Sequence, residues 1–238
     1  MRIVTIHAWA ARGFTRGAAD YEKARPDYPS AAVELLGLSP GNTVVDVGAG
    51  TGKLTRQLVE TGARVIAVEP LAAMRELIPR EGVEILAGTA EALPLPSGSA
   101  DVVTAAQAFH WFRTDEALAE MHRVLRPGGL LAILRNRRDP EDPIQREFIR
   151  ILSRHRAHPS LDDRVPPERG EAHTFPHTQE LDRDRLVAQA ASESSIAVLE
   201  AEARRAALDD FANLAAGLPP RFELRYTTEV VLGSTICK

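Results

Sequence analysis

The chain has 238 residues, with 29 Lys and Arg against 33 Asp and Glu and a net charge of −4; that balance argues against a general nucleic-acid binder, which carries a strongly basic face. Apolar residues at 44% suffice for a full core, yet no run approaches the ~18 apolar residues of a membrane helix. The single cysteine, Cys237, permits no intrachain disulfide and leads us to expect a reducing, cytoplasmic setting.

In chain order, Met1 to Ala11 is weakly apolar, but Thr5 and His7 interrupt it too early for a secretory signal. Tyr21-Glu22-Lys23-Ala24-Arg25-Pro26-Asp27-Tyr28-Pro29 reads as a helix end broken by two prolines. From Val44 to Asn136 strand-like and helix-like runs alternate, as in a parallel sheet with crossover helices. Strands are expected at Thr43–Val47, Arg64–Val68, Val83–Ala87, Asp101–Ala106 and Gly129–Leu134. Helices are expected at Lys53–Thr61, Ala72–Ile78 (stopped by Pro79) and Thr114–Leu125, with a turn at Pro127-Gly128-Gly129. Beyond Asp139, helices are expected at Pro143–His155, around Arg183–Ala191, and at Ala197–Ala216. His158–His177, rich in Pro, charge and His, reads as a surface loop or flap, and Phe222–Leu232 as a closing strand. Leu232 to Lys238 looks unlike a final strand. The whole is expected to form one domain: a lead-in over 1–30, a cofactor-binding core over 31–139, and helices, flap and closing strands over 140–238.

The strongest chemical signal is Val44-Val45-Asp46-Val47-Gly48-Ala49-Gly50-Thr51-Gly52, a hydrophobic strand entering a glycine-rich turn with a helix behind it. Glycines let the backbone turn sharply and approach a ligand that a Cβ would push away, and the helix N-terminus offers unsatisfied N–H groups. The spacing is G-x-G-x-G rather than the G-x-G-x-x-G of dinucleotide sites. Asp46 beside it suits a cationic ligand better than a pyrophosphate. The second signal is Glu69, which ends the run Arg64-Val65-Ile66-Ala67-Val68. An acid there stands where a ribose is held by its two hydroxyls, although an acid after a strand also serves simply as a helix N-terminal charge.

In this order these residues resemble a class I S-adenosylmethionine-dependent methyltransferase of the small-molecule group that includes trans-aconitate methyltransferase and related type 11 domains. Asp46 to Gly52 is similar to that family's first motif and Glu69 to its ribose-binding acid. Gly88-Thr89-Ala90-Glu91 is similar to the segment flanking the adenine, and Arg123-Val124-Leu125-Arg126-Pro127-Gly128-Gly129 to the turn into the fifth strand. The resemblance implies a doubly wound α/β fold with helices on both faces of a mostly parallel, Rossmann-like sheet of seven strands. It further implies S-adenosyl-L-methionine as cofactor, held by Tyr21, Arg25, Asp46, Gly48, Ala49, Gly50, Thr51, Gly52, Glu69, Pro70, Met74, Thr89, Ala90, Glu91, Gln107 and Ala108.

Gln107-Ala108-Phe109-His110-Trp111-Phe112 follows the fourth strand at the carboxyl edge, where ligands bind in open sheets. His110 is the candidate catalytic residue, since a titratable ring there suits contact with a nucleophile; Phe109 and Phe112 serve equally well as core. Trp111 and Asn136 are candidate substrate contacts. Arg135-Asn136-Arg137-Arg138 reads as a solvated charge run; the alternative, which the resemblance to the trans-aconitate enzyme implies, is a carboxylate clamp for an acidic substrate. The histidines at 155, 158, 173 and 177 do not form a metal-ligand spacing, so no metal is expected. The expected activity is methyl transfer to a small molecule, with no nucleic-acid or membrane partner. A non-catalytic cofactor binder, a methyltransferase acting on RNA or protein, and a nicotinamide oxidoreductase are the competing readings.

Overall fold

The computed structural model describes residues 13, 17–18, 20–155 and 170–234. Seven strands form one sheet: β1 (Thr43–Val47), β2 (Arg64–Val68), β3 (Val83–Leu86), β4 (Ala100–Ala106), β5 (Leu125–Arg138), β6 (Glu171–Asp182) and β7 (Arg221–Ser234). Their spatial order is β3-β2-β1-β4-β5-β7-β6. The first five are mutually parallel, and β7 runs antiparallel to both β5 and β6. Strand order reverses between β1 and β4. In register, Asp46 lies opposite Ala67 on one side and Thr104 on the other, so the carboxyl ends of three strands open on one crevice, the usual ligand position in such sheets.

The period-two strand pattern builds a core on each face. Val45, Val47, Val103 and Ala105 meet Ala117, Met121 and Val124 of α4 (Thr114–Val124). Val44, Val65 and Val102 point the other way, onto Leu54 and Leu58 of α2 (Lys53–Glu60) and Ala32 and Val33 of α1 (Ser30–Glu34). A short helix, α3 (Ala72–Arg75), carries Met74 toward the crevice. A third cluster joins β6 and β7 to α5 (Pro143–His155), α6 (Arg183–Ala191) and α8 (Ala201–Ala216), with Phe148 and Phe211 in ring contact at 4.6 Å between centroids. Among the described residues no helix is long and apolar enough to cross a membrane.

The flap expectation is corrected over 171–177, which belongs to β6; 158–169 lie outside the described residues, as do the first ten and residues 235–238. Pro176 and the histidines suggested a loop, but β6 is the edge strand, where a missing N–H goes unpunished. His173, Phe175, His177, Gln179 and Leu181 turn inward in alternation, while their neighbours are exposed. The final strand is longer than expected and takes in Leu232 to Ser234. β5 also extends beyond both expected ends. Leu125 pairs with Ala100 and Leu130 with Val102, so the Pro127-Gly128-Gly129 turn survives as a bulge opposite Asp101. The helix expected at 197–216 begins at Ala201 as α8, and Ala197 instead ends a separate short helix, α7 (Ser194–Ala197).

Candidate active site

The glycine turn after β1 is built on two buried acids. Asp46 is 1% exposed and receives the Thr55 hydroxyl at 2.7 Å and the Thr104 hydroxyl at 2.9 Å. Burial raises its pKa, and those two hydrogen bonds oppose the rise. Glu69, at the end of β2, accepts the Gly50 N–H and the Leu71 N–H, each at 2.9 Å and each on a different carboxylate oxygen. Burial raises the Glu69 pKa against the pull of these backbone donors. One carboxylate thus clips the turn after β1 to the turn after β2, and each of its oxygens keeps a further lone pair for a ligand hydroxyl.

Two glycines in the turn have different reasons. A Cβ at Gly48 would lie 2.7 Å from the Ala108 Cβ, so glycine is required by packing. Gly50 has φ of 60° with no neighbour nearer than the Met74 methyl at 3.6 Å, so its backbone faces open space and a Cβ would project into it.

That space is a chamber at the carboxyl ends of the strands, the usual place of a small-molecule site in such sheets. Of the residues expected from sequence, Tyr21, Asp46, Gly48, Ala49, Gly50, Glu69, Pro70, Met74, Thr89, Ala90, Glu91, Gln107, Ala108 and Trp111 line it. Thr51 and Gly52 do not: Thr51 is fully buried under the turn, and Gly52 begins α2 against Ile78 and Pro79. Sequence reasoning missed Tyr28, Lys53, Leu54, Leu71, Ala106 and Phe112, which complete the lining. Lys53 had a signal, since it directly follows the last glycine.

A second chamber, about 1360 Å³, lies beside the first and shares Tyr21, Tyr28, Lys53 and Gln107 with it. Arg25 and Asn136 face this one. Arg25 is fixed by Glu193 at 2.9 Å and the Ser192 hydroxyl at 2.9 Å. Glu193 also takes Arg138 at 2.8 Å. Burial would push the Glu193 pKa up, but Arg25 and Arg138 outweigh it and hold the carboxyl below its usual range. Asn136 donates to the Asp27 carbonyl at 3.3 Å and accepts the Thr228 hydroxyl. The arginines of 135–138 are therefore not a uniformly solvated run: Arg135 and Arg138 side chains are 13% and 14% exposed and paired, and Arg137 alone of them is half exposed.

Gln107 joins the chambers. It is the one non-glycine with positive φ, 51°, among the described residues. Its Nε2 donates to the Asn136 carbonyl at 3.0 Å, which fixes the amide orientation and leaves the buried Oε1 without a partner. His110 lies elsewhere. It lines neither chamber but a third, smaller recess with Ile133, Arg135 and Glu229, which adjoins both through Gln107, its ring 4.8 Å from that of Trp111. Among the described residues no group of three or more His, Cys, Asp or Glu is placed to hold a metal.

Comparison with known proteins agrees with this architecture. Residues 45–133 match a methyltransferase domain family model. An uncharacterised methyltransferase from Mycobacterium tuberculosis is 38% identical over 204 residues, covering 84% of each chain. One from Schizosaccharomyces pombe is 37% identical over 155 residues, 62% of each. Among solved structures, one from Anaeromyxobacter dehalogenans assigned as a type II methyltransferase superposes with a TM-score of 0.66 at 29% identity, covering 87% of this chain and 96% of that one. With the strand order, the glycine turn and Glu69 already in place, this relationship is decisive: the chain belongs to the class I S-adenosylmethionine-dependent methyltransferases.

Proposed function

We propose that this enzyme transfers a methyl group from S-adenosyl-L-methionine, held in the first chamber, to a small molecule held in the second. The observation that carries the reading is the shared wall: Tyr21, Tyr28, Lys53 and Gln107 belong to both chambers, so ligands in the two would meet there.

The first chamber suits the cofactor's chemistry. Buried Glu69 offers lone pairs to a ribose diol, Gly50 leaves room for close approach, and Asp46 beneath the turn contributes negative charge that favours a cation. The bound cofactor supplies a sulfonium-activated methyl group, so the protein's task is to position the nucleophile and exclude water. Tyr21 and Tyr28 wall both chambers with aromatic surface, and the ion lock at Glu193 holds Arg25 and the segment bearing Tyr21 in place. His110, facing neither chamber, is given no proton-transfer part here. A small acceptor is supported by the concave, side-chain-lined shape of the second chamber and by the near-neutral net charge.

The test is a screen of metabolite pools with the purified enzyme and S-adenosylmethionine, read by release of S-adenosylhomocysteine. Release that depends on a low-molecular-weight fraction supports the reading. Release only with RNA or protein would overturn the small-molecule assignment, and binding without release from any fraction would leave a cofactor sensor.

A further inference from the structure

The lining of the second chamber is rich in cations. Five cations face it: Arg25, Lys53, Arg135, Arg137 and Arg138. Carboxylates pair with each of them. Glu193 is shared by Arg25 and Arg138, Glu229 by Arg135 and Arg137, and Asp27 pairs with Lys53 at 3.2 Å. The sharing is unequal. Arg135 reaches Glu229 Oε2 through both Nε and Nη2, whereas Arg137 stands 3.7 Å away, beyond hydrogen-bond reach, with half its side chain exposed. Arg138 is firmly held by Gln145, Gln189, Tyr226 and Glu193 and lies over the Phe148 ring. Arg137 is the least constrained guanidinium of this lining, and its fork matches planar or tetrahedral oxyanions. The rest of the chamber is different in kind. Ile149, one of two exposed large hydrophobic residues among the described residues, and Leu152 line it from α5.

We propose that the second chamber takes an organic anion, a carboxylate or phosphate ester, whose charged group pairs with Arg137 and whose apolar body covers Ile149 and Leu152. This rests on the reading of that chamber as the acceptor site and names the chemical class it accepts.

The test uses titration calorimetry with cinnamate and phenyl phosphate, each against a neutral counterpart, cinnamamide and phenol, with and without saturating S-adenosylhomocysteine. The expected result is that at least one anion binds about tenfold or more tighter than its neutral counterpart, a preference that added salt erodes. Which anion is favoured separates carboxylate from phosphate. Arg137→Gln should weaken that anion about tenfold and Arg137→Lys less, with S-adenosylhomocysteine affinity unchanged as proof of fold. Arg150→Gln, removing an exposed α5 cation paired with Glu147, should change nothing. Equal binding of the neutral counterparts, failure of both anions to bind, or an unaffected Arg137→Gln variant overturns the proposal. If the homocysteine product itself does not bind, the methyltransferase reading fails instead, and the titrations without it still judge the anion claim.

Discussion

Glu69 and Gln107 show how single residues set the site. Both Glu69 oxygens are engaged by backbone donors, yet burial raises its pKa, so it takes up a proton at higher pH than an ordinary glutamate. The sign follows from linkage: with the folded-state pKa raised, the fold loses nothing from this group on mild acidification, whereas a ligand that needs the carboxylate does. S-adenosylhomocysteine affinity should therefore begin to fall above the usual carboxylate range as pH is lowered, while thermal stability does not. Calorimetry across pH checks this, and in Glu69→Gln that part of the dependence should vanish. Gln107 holds a left-handed backbone at φ 51°, a conformation costing a side-chain-bearing residue about 1 kcal/mol or more. At an ordinary position glycine is less stable than alanine. Here Gln107→Gly should exceed Gln107→Ala by about 1 kcal/mol in chemical denaturation, and the ordinary order would show that the strain is absent. The sequence disclosed Asp46, the glycines and Glu69 because turn chemistry is local. It did not disclose the backbone of Gln107, since nothing about a glutamine announces positive φ.

Elements were legible to the degree that their partners were local. β1, β2, α5 and α6 fall where periodicity and breakers place them. β6 was hidden because an edge strand tolerates Pro176 and uses His173 and His177 on its inner face, where His177 stacks on Tyr226 at 5.6 Å; only the pairing with β7 reveals it. The helical layer on β6 and β7 depends on few large side chains. Phe148 and Phe211 are fully buried against each other, so Phe148→Ala should cost about 3–5 kcal/mol by loss of transfer energy and by the cavity left. Because the Phe148 ring also lies 4.0 Å beneath the Arg138 guanidinium, the same variant should loosen the second chamber. Denaturation midpoints measure the first effect, and a loss under about 1 kcal/mol would mean the layer repacks freely.

Across the whole molecule, the second chamber is assembled from segments far apart in the chain. Glu193 joins Arg25 of the lead-in to Arg138 at the end of β5, and Gln189 and Gln179 both donate to the Ala24 carbonyl. This is why the second chamber was poorly legible: Glu193, Ile149 and Tyr226 carry no motif and meet only in the folded chain. His110 follows β4 as the sequence indicates, yet it lines an adjoining recess rather than either chamber. Glu193→Ala leaves two nearly buried guanidiniums without their carboxylate and should cost about 3 kcal/mol, with Glu193→Gln costing less. The Glu193 pKa is depressed, so its contribution is present above the unfolded-state value and is lost as pH falls through the folded-state one. Acid unfolding curves of wild type and Glu193→Ala should therefore converge at low pH and diverge toward neutrality; parallel curves would remove the lock from the account.

The central claim is that the glycine turn and Glu69 form an S-adenosylmethionine site, and titration calorimetry of S-adenosylhomocysteine into wild type and Glu69→Ala tests it most directly. The account predicts saturable one-site binding to wild type, a loss of about 1–3 kcal/mol in Glu69→Ala, the scale of hydrogen bonds to a charged group, and no binding of NAD. Unchanged affinity in Glu69→Ala would contradict the ribose assignment, and binding of NAD in place of the homocysteine compound would contradict the claim itself.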